Sequence, residues 1–197
     1  MYDLLDREQP GTDLRTATVQ GLMQRFGVDM EHADRVARTA CALFDQAAPP
    51  GSERASRKLD WAARLHEIGC RISHSDYHRH GAYILDNTDA AGFAVPELHR
   101  LGVLVQGQRG KVRKLGVELD DPIFVLQLLC LRLAVALCHA RREPDSKGLS
   151  LQADGQRFRV SARPGWAIAY PQSAHLLREE VQACLLYTSD AADDSLR

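Results

Sequence analysis

Apolar residues recur at helical spacing along the first two thirds of the chain. The first such segment is predicted to begin near Thr12 and to end at Gly27, with hydrophobic residues three and four positions apart between them. Asp29 is predicted to cap the next helix, because its side chain can accept a hydrogen bond from an amide of the first turn. Three further helices are predicted over residues 59–69, 75–85 and 96–106.

The most apolar segment follows Asp120-Asp121-Pro122. Carboxylates before a helix and a proline in its first turn are typical of helix N-termini, so a helix is predicted from here to about Arg142. It is apolar on nearly every side, which predicts a place in the centre of a helical bundle. Beyond Pro144 apolar and polar residues alternate on both sides of Asp154-Gly155, which predicts a β-hairpin. A last helix is predicted over residues 173–184.

These patterns predict a mainly α fold. A helical bundle over residues 1–143 is followed by a small α+β appendage with a β-hairpin over residues 144–184. Residues 185–197 continue none of the preceding patterns, and we expect them to be a non-native tail.

Composition narrows the class of protein. A hydrophobic fraction of 45% with 26% charged residues is ordinary for a soluble globular chain. The longest apolar run is shorter than the roughly 20 residues that a membrane-spanning helix needs, and the first residues do not resemble a secretory signal. The five cysteines form no CxxC pair, so free thiols and a cytoplasmic location are expected.

Positive charge is concentrated locally, although the formal net charge is only -1. Residues 106–115 contain Arg109, Lys111, Arg113 and Lys114 and no acidic residue. The segment lacks the first glycine and the Ser/Thr of a Walker A motif. A glycine-containing loop with several cations can still bind a polyanion, but a merely solvated loop explains the pattern equally well.

A second positively charged segment contains His78, Arg79 and His80. His74 and His78 are four residues apart, a spacing that places two imidazoles on one helix face, yet the HExxH pattern of zinc proteases is absent. The segment is interpreted either as a solvated helical face or as an anion-binding or interdomain surface.

Three residues resemble the metal-binding constellation of HD-type phosphohydrolases: His32 on an early helix and the pair His66-Glu67 on a predicted helix. Imidazoles and carboxylates in that constellation bind a divalent metal and leave positions open for water and phosphate. Here Glu67 replaces the aspartate of the pair, and Val135 stands where the late-helix aspartate is expected. A valine cannot bind a metal. We therefore expect no metal, and interpret His32, His66 and Glu67 as a degenerate HD remnant.

Two segments follow known family motifs closely. Residues 2–6 and 13–19 are similar to the run "LYDLLGR…DxRxxTV". Residues 61–93, WAARLHEIGCRISHSDYHRHGAYILDNTDAAGF, resemble "AAxLHEIGxxIxHxxYHRHSAYIL" almost throughout. Both motifs are those of the exopolyphosphatase and guanosine-pentaphosphate phosphatase family (Ppx/GppA), which the chain resembles over roughly residues 2–184.

The resemblance implies that the chain is the carboxy-terminal, HD-domain-like part of a larger enzyme. In such enzymes catalysis takes place in two amino-terminal actin-like domains that carry glycine-rich phosphate loops and magnesium. Those motifs do not occur in this sequence, so no catalytic residue and no cofactor is expected in this chain. The implied role is an accessory one in an exopolyphosphatase, inactive alone: binding of polyphosphate, formation of a homodimer and contact with the protein's own amino-terminal domains. No nucleic acid and no membrane are expected as partners.

Polyphosphate carries roughly one charge per phosphate, so a chain that slides needs dispersed and individually weak contacts, as nucleic-acid backbones make. The residues expected to supply them are those of the two positively charged segments: His78, Arg79, His80, Arg109, Lys111, Arg113 and Lys114. Guanosine pentaphosphate stays open as the substrate. Two other functions also stay open: a free-standing HD-type metal-dependent phosphohydrolase acting on nucleotides, and a purely structural dimerisation module.

Overall fold

The computed structural model describes residues 14–110, 112, 115, 120–154 and 157–188, the last eight of them as backbone only. The fold is mainly α with a small α+β part, as predicted. In chain order its elements are α1 (Leu14–Phe26), α2 (Met30–Ala47), α3 (Glu53–Arg64), a 3-10 helix (Ile68–Arg71), α4 (Tyr77–Asp86), α5 (Val95–Gly107), α6 (Pro122–Leu137), a 3-10 turn (Ser146–Gly148), β1 (Leu149–Asp154), β2 (Arg157–Ala162), α7 (Trp166–Ala169) and α8 (Pro171–Thr188).

Helices α2 and α6 begin where the sequence predicts. Asp29 accepts a hydrogen bond from the backbone amide of His32 at 3.1 Å, and Asp121 accepts one from the amide of Ile123 at 2.9 Å. Helix α6 lies in the centre of the bundle, as its apolar sequence indicates, and packs against α2, α3, α5 and α8. The cap residue predicted for α1, Thr12, lies outside the described residues.

Helix α6 ends earlier than predicted, at Leu137 rather than near Arg142. Cys138 caps it, and the amide of Arg141 donates to the Cys138 carbonyl at 2.9 Å. Arg141 has a φ of 53°, in the left-handed region that a right-handed helix cannot contain. The predicted continuation was wrong because the chain turns here, and the turn directs the Arg141 side chain back toward the start of α2.

Helix α3 also ends earlier than predicted, at Arg64, so His66 and Glu67 lie in a turn and not in a helix. The hydrogen bonds tighten at this point: the His66 amide donates to the carbonyl of Ala63, three residues back, at 3.4 Å. The imidazole Nδ1 of His66 binds the same carbonyl oxygen at 2.7 Å. A side-chain hydrogen bond of this kind competes with the next helical turn, which explains why the helix stops.

Gly69 does not end a helix, as the sequence suggested, but lies within the 3-10 helix against α4. A Cβ atom at Gly69 would lie 2.0 Å from the carbonyl oxygen of Tyr77, and one at Gly81 would lie 2.7 Å from a Val105 methyl group. The backbone of the 3-10 helix at Gly69 therefore touches the backbone of α4, and this contact fixes the start of α4 beside the turn that contains His66.

The appendage packs on the bundle. Strands β1 and β2 are antiparallel, as the alternation predicts, from Leu149 opposite Ala162 to Asp154 opposite Arg157. The amide of Leu151 donates to the side-chain oxygen of Gln46 on α2 at 2.8 Å.

Leu149, Leu151 and Trp166 belong to the same hydrophobic core as the helices, and the division at residue 143 stays a prediction. Helix α8 begins two residues before its predicted start and continues through residues 185–188 of the predicted tail; residues 189–197 lie outside the described part. Among the described residues, no helix combines the length and apolarity needed to cross a membrane.

Replacement of Gly69 by alanine should destabilise the protein, because the new methyl group would meet the α4 backbone and not a movable side chain. We expect the free energy of unfolding to fall by about 1–3 kcal/mol, the usual cost of overpacking. Gly21→Ala is the matched control: Gly21 lies within α1 with open space around its Cβ position, so this change should raise stability by about 0.5–1 kcal/mol. Urea denaturation of both variants tests the contact, and equal effects of the two substitutions would contradict it.

Candidate polyanion-binding surface and histidine–glutamate cluster

The two positively charged segments lie next to each other. His78, Arg79 and His80 lie in the first turn of α4, and Arg109 follows the end of α5. The guanidinium carbon of Arg109 lies 6.0 Å from the ring centroid of Tyr77, close enough for cation–π attraction. Three further residues predicted to bind polyphosphate, Lys111, Arg113 and Lys114, lie outside the described residues.

The positive charge of Arg109 affects the pKa values of Tyr77 and His78. Burial raises the pKa of Tyr77, which Arg109 opposes, and the phenol stays neutral at physiological pH. Burial lowers the pKa of His78; the negative charge of Asp76 opposes this change, and the positive charges of Arg79 and Arg109 add to it. His78 is therefore neutral at pH 7 and offers hydrogen bonding rather than charge; its Nδ1 is buried without a partner among the described residues.

Among the residues that the structure describes here, Arg79 and Arg109 are exposed cations. Arg79 also lies near a carboxylate, with its Nη1 3.7 Å from Asp76. His80 is half-buried in the same first turn of α4, and its role in binding polyphosphate stays a prediction. We call the exposed area formed by His78, Arg79 and Arg109 the basic surface.

A buried arginine holds the loop that carries Arg109. Arg132 on α6 has a side-chain exposure of only 3%. Its Nη1 donates to the carbonyls of Gly107 and Gly110 at 2.7 and 3.1 Å, and its Nε pairs with Glu180 on α8 at 2.6 Å. Burial raises the pKa of Glu180, and Arg132 opposes this rise. Arg132 was not among the residues predicted to be functional; a charged residue inside so apolar a helix was the signal that it has a partner.

Gln108 connects the same loop to the His66 turn. Its side chain is buried, and Nε2 donates to the His66 carbonyl at 2.6 Å and to the Val105 carbonyl at 3.0 Å. The basic surface and the His66 turn are thus parts of one connected structure.

His32, His66 and Glu67 come together in space, as their resemblance to an HD constellation suggests. One candidate ligand atom of each lies within 4.8 Å of the others. The two imidazole rings are 5.4 Å apart between centroids, and His32 Nε2 lies 3.9 Å from a carboxylate oxygen of Glu67. Since a carbonyl can only accept, the hydrogen bond to Ala63 requires a proton on His66 Nδ1 and leaves the lone pair on Nε2 in the neutral ring.

Both imidazoles of this cluster are neutral at physiological pH. Burial lowers the pKa of His66 to about 4, although Glu67 acts in the opposite direction. Burial also lowers the pKa of His32, and the charge of Glu67 again opposes the change.

Arg141 supplies the positive charge at the cluster. Its Nη2 lies 3.0 and 3.2 Å from the two carboxylate oxygens of Glu67, and its Nη1 lies 2.7 Å from Asp29. The hydrogen bond from the His32 amide, followed by the charge of Arg141, lowers the pKa of Asp29. The three possible ligands, His32, His66 and Glu67, therefore fit a metal ion only in part, because the carboxylate of Glu67 is already paired with a guanidinium. The expectation that no metal binds stays a prediction.

Comparison with known proteins supports the assignment made from the sequence motifs. A family model described as Ppx/GppA phosphatase, domain III, matches residues 14–183. The guanosine-5'-triphosphate,3'-diphosphate pyrophosphatase of Aeromonas hydrophila subsp. hydrophila is 33% identical over 189 residues, which are 92% of this chain and 38% of that protein. The protein of the same name from Aeromonas salmonicida is 32% identical with the same coverage. The chain thus spans 38% of the length of these curated relatives.

The buried His66 makes stability sensitive to acid. In the unfolded chain the imidazole takes up a proton near its ordinary pKa of 6.5, whereas the folded protein takes it up only near 4. The unfolded state therefore binds more protons between these values, and stability should fall as the pH is lowered from 6.5 to 4, by up to about 3 kcal/mol. His32 acts in the same direction.

Urea denaturation between pH 7 and pH 4.5 measures this dependence. His66→Asn, whose amide can still donate to Ala63 but does not titrate, should flatten it, whereas His175→Asn, at an exposed histidine, should leave it unchanged. A His66→Asn variant with the same pH dependence as the wild type would contradict the assignment.

Proposed function

The chain belongs to the Ppx/GppA phosphatase family, and on that premise we propose that it is the accessory carboxy-terminal part of an exopolyphosphatase. In this proposal it binds the polyphosphate chain and contributes to dimerisation. Hydrolysis itself takes place in amino-terminal actin-like domains that hold magnesium, outside this chain. No residue of the basic surface is assigned a catalytic role.

The observation that carries the proposal is the position of Arg109. The sequence leaves open whether the loop after α5 has any relation to the histidine-rich segment, and in the fold Arg109 lies over Tyr77 at the start of that segment. Arg79 and Arg109 then present positive charge from two separate elements. Two exposed cations on different elements suit an extended polyanion, because each contact is weak and screened and the polymer can move from one contact to the next.

The clamp by Arg132 supports the same role. A loop that binds a polymer must keep its cations in place while the ligand changes position. The contacts of Arg132 with the Gly107 and Gly110 carbonyls hold the two ends of a short segment that contains Arg109. Less conformational freedom is then lost when phosphate binds, which favours affinity.

Guanosine pentaphosphate is the alternative ligand. The two Aeromonas relatives carry the name of a pyrophosphatase for that nucleotide. It offers phosphates at only two positions of one ribose, whereas a polymer can contact both α4 and the loop after α5 along its length. We therefore propose polyphosphate as the ligand of the basic surface and treat the nucleotide as the second arm of the binding experiment.

Arg109→Glu should weaken the binding of polyphosphate to this chain by about tenfold or more at low salt, because one attractive contact becomes repulsive. The slope of log affinity against log salt concentration should fall by about one, as one phosphate contact is lost. Arg159→Glu, which makes the same change of charge at an exposed residue of β2, is the control and should have a much smaller effect.

Titrations with polyphosphate of defined length and with guanosine pentaphosphate, at several salt concentrations, separate the outcomes. Equal losses for the two variants would mean that only net charge matters and would contradict a defined surface. Binding of the nucleotide but not of the polymer, with the same dependence on Arg109, would change the proposed ligand.

A metal-dependent nucleotide phosphohydrolase is the second candidate. The observation in its favour is the grouping of His32, His66 and Glu67, since two imidazoles and a carboxylate are ligands that hydrolytic metals accept. The ion pair between Arg141 and Glu67, together with Val135 in place of a carboxylate, opposes it. One manganese or zinc ion per purified chain, with phosphate release from a nucleotide, would favour this candidate.

A purely structural dimerisation module is the third candidate. Light scattering on the same samples tests it: self-association at micromolar concentration without any binding of polyphosphate at low salt would favour this function over the first.

A further inference from the structure

We infer that Arg141 is the resident cation of the His32–His66–Glu67 cluster, and that its guanidinium keeps a three-ligand site for a divalent transition metal closed. The inference does not depend on the proposed polyphosphate function. It concerns the chemistry that the cluster would have without this arginine.

The donors themselves suit a metal such as zinc or cobalt. Three protein ligands with one open position are the usual set at catalytic zinc ions, and imidazole with carboxylate is a common combination. His66 already has the arrangement of a metal ligand. Its Nδ1 donates a hydrogen bond to the Ala63 carbonyl, which fixes the ring and leaves the lone pair of Nε2 available to a metal. With bonds of about 2.0–2.1 Å, tetrahedral ligand atoms lie about 3.3 Å apart. The possible ligand atoms of the cluster lie up to 4.8 Å apart, which is more than this distance, so small rotations of the side chains would be needed for all three to bind one metal ion.

Arg141 prevents those rotations by binding the carboxylate. Its Nη2 lies within 3.2 Å of both oxygens of Glu67, and its Nη1 binds Asp29 at 2.7 Å, so the guanidinium bridges two acidic groups. A dication that approached the imidazoles would meet this fixed positive charge and would have to displace it from Glu67. The planar guanidinium holds such a bridge better than an ammonium group, because its donors are fixed in a fork.

The backbone at Arg141 is a second and independent observation. Its φ of 53° is unfavourable for an arginine, whereas glycine would adopt it without strain. Strained residues persist where the surrounding structure fixes them. Here the turn after α6 places the guanidinium between Asp29 and Glu67, which lie 112 and 74 residues away along the chain.

Val135 and Arg141 are two separate obstacles to metal binding, and the sequence alone shows only the first. Val135 explains the absence of a fourth protein ligand, but three ligands are enough for a transition metal when water fills the remaining position. Arg141 occupies one of those three ligands, Glu67. Replacement of Arg141 alone should then permit metal binding, with Val135 left in place.

The test uses the full chain and Co²⁺ alone as the probe, because its visible absorption reports the number and geometry of its ligands. Arg141→Gly removes the guanidinium and suits the left-handed backbone, so the variant should fold; thermal unfolding followed by circular dichroism checks this. We expect Arg141→Gly to bind one Co²⁺ per chain at least about tenfold more tightly than the wild type, since the guanidinium no longer competes with the metal for Glu67. Arg141→Asn, which also tolerates this φ, serves as the second variant.

Two controls make the result specific. Arg142→Ala removes the exposed neighbouring arginine and should leave Co²⁺ binding at the level of the wild type. Arg141→Gly combined with Glu67→Gln should lose the gained affinity and the absorption bands, because the carboxylate ligand is gone.

Three results would overturn the inference. The first is a wild type that binds Co²⁺ as tightly as Arg141→Gly. The second is folded Arg141→Gly and Arg141→Asn variants that gain no affinity. The third is a gain in affinity that Glu67→Gln leaves unchanged, because the metal would then be bound elsewhere.

Discussion

The buried guanidinium of Arg132 is the interaction on which the basic surface depends. A charge with only 3% of its side chain exposed inside the most apolar helix needs an opposite charge and hydrogen-bond acceptors around it. The partners come from different parts of the chain: the Gly107 and Gly110 carbonyls, which flank Arg109, and the carboxylate of Glu180 on α8. Loss of one partner from such a group typically costs about 3–5 kcal/mol. The central helix, the loop and the last helix are therefore held in one arrangement, and the position of Arg109 follows from it.

Two further contacts extend this arrangement to the histidine–glutamate cluster. Gln108 donates to the His66 carbonyl, and the 3-10 helix after His66 touches the α4 backbone at Gly69, where no side chain fits. The basic surface and the cluster thus share one support, although they are proposed to act independently. The cluster is also held by ion pairs of its own. Arg141 pairs with Glu67 and Asp29, so the charge of the carboxylate is balanced within the protein.

Local signals in the sequence were sufficient for much of the fold. The spacing of apolar residues predicted the helices, and Asp29 and Asp121 predicted the starts of α2 and α6, because capping depends on residues within one turn. The ends of α3 and α6 were predicted wrongly since they depend on other interactions: the His66 imidazole takes a carbonyl of α3, and Arg141 turns toward residues far away in the chain. The resemblance to an HD-type constellation predicted which residues form the cluster. No local pattern placed Arg141 among them, because its partners Asp29 and Glu67 are far away in the chain, and the partners of Arg132 are likewise long-range.

If Arg132 positions Arg109 for a polyanion, the two residues should be coupled in a double-mutant cycle on polyphosphate affinity. Arg109→Ala is measured in the wild type and in an Arg132→Met/Glu180→Gln background, where the clamp is removed without leaving Glu180 as an unpaired charge. The unfolding midpoint of each variant confirms that it is folded. We expect Arg109→Ala to cost less than half as much binding free energy once the contacts of Arg132 are gone. If the loss of binding free energy on Arg109→Ala is the same in both backgrounds within about 0.5 kcal/mol, the two residues act independently and Arg132 does not position Arg109.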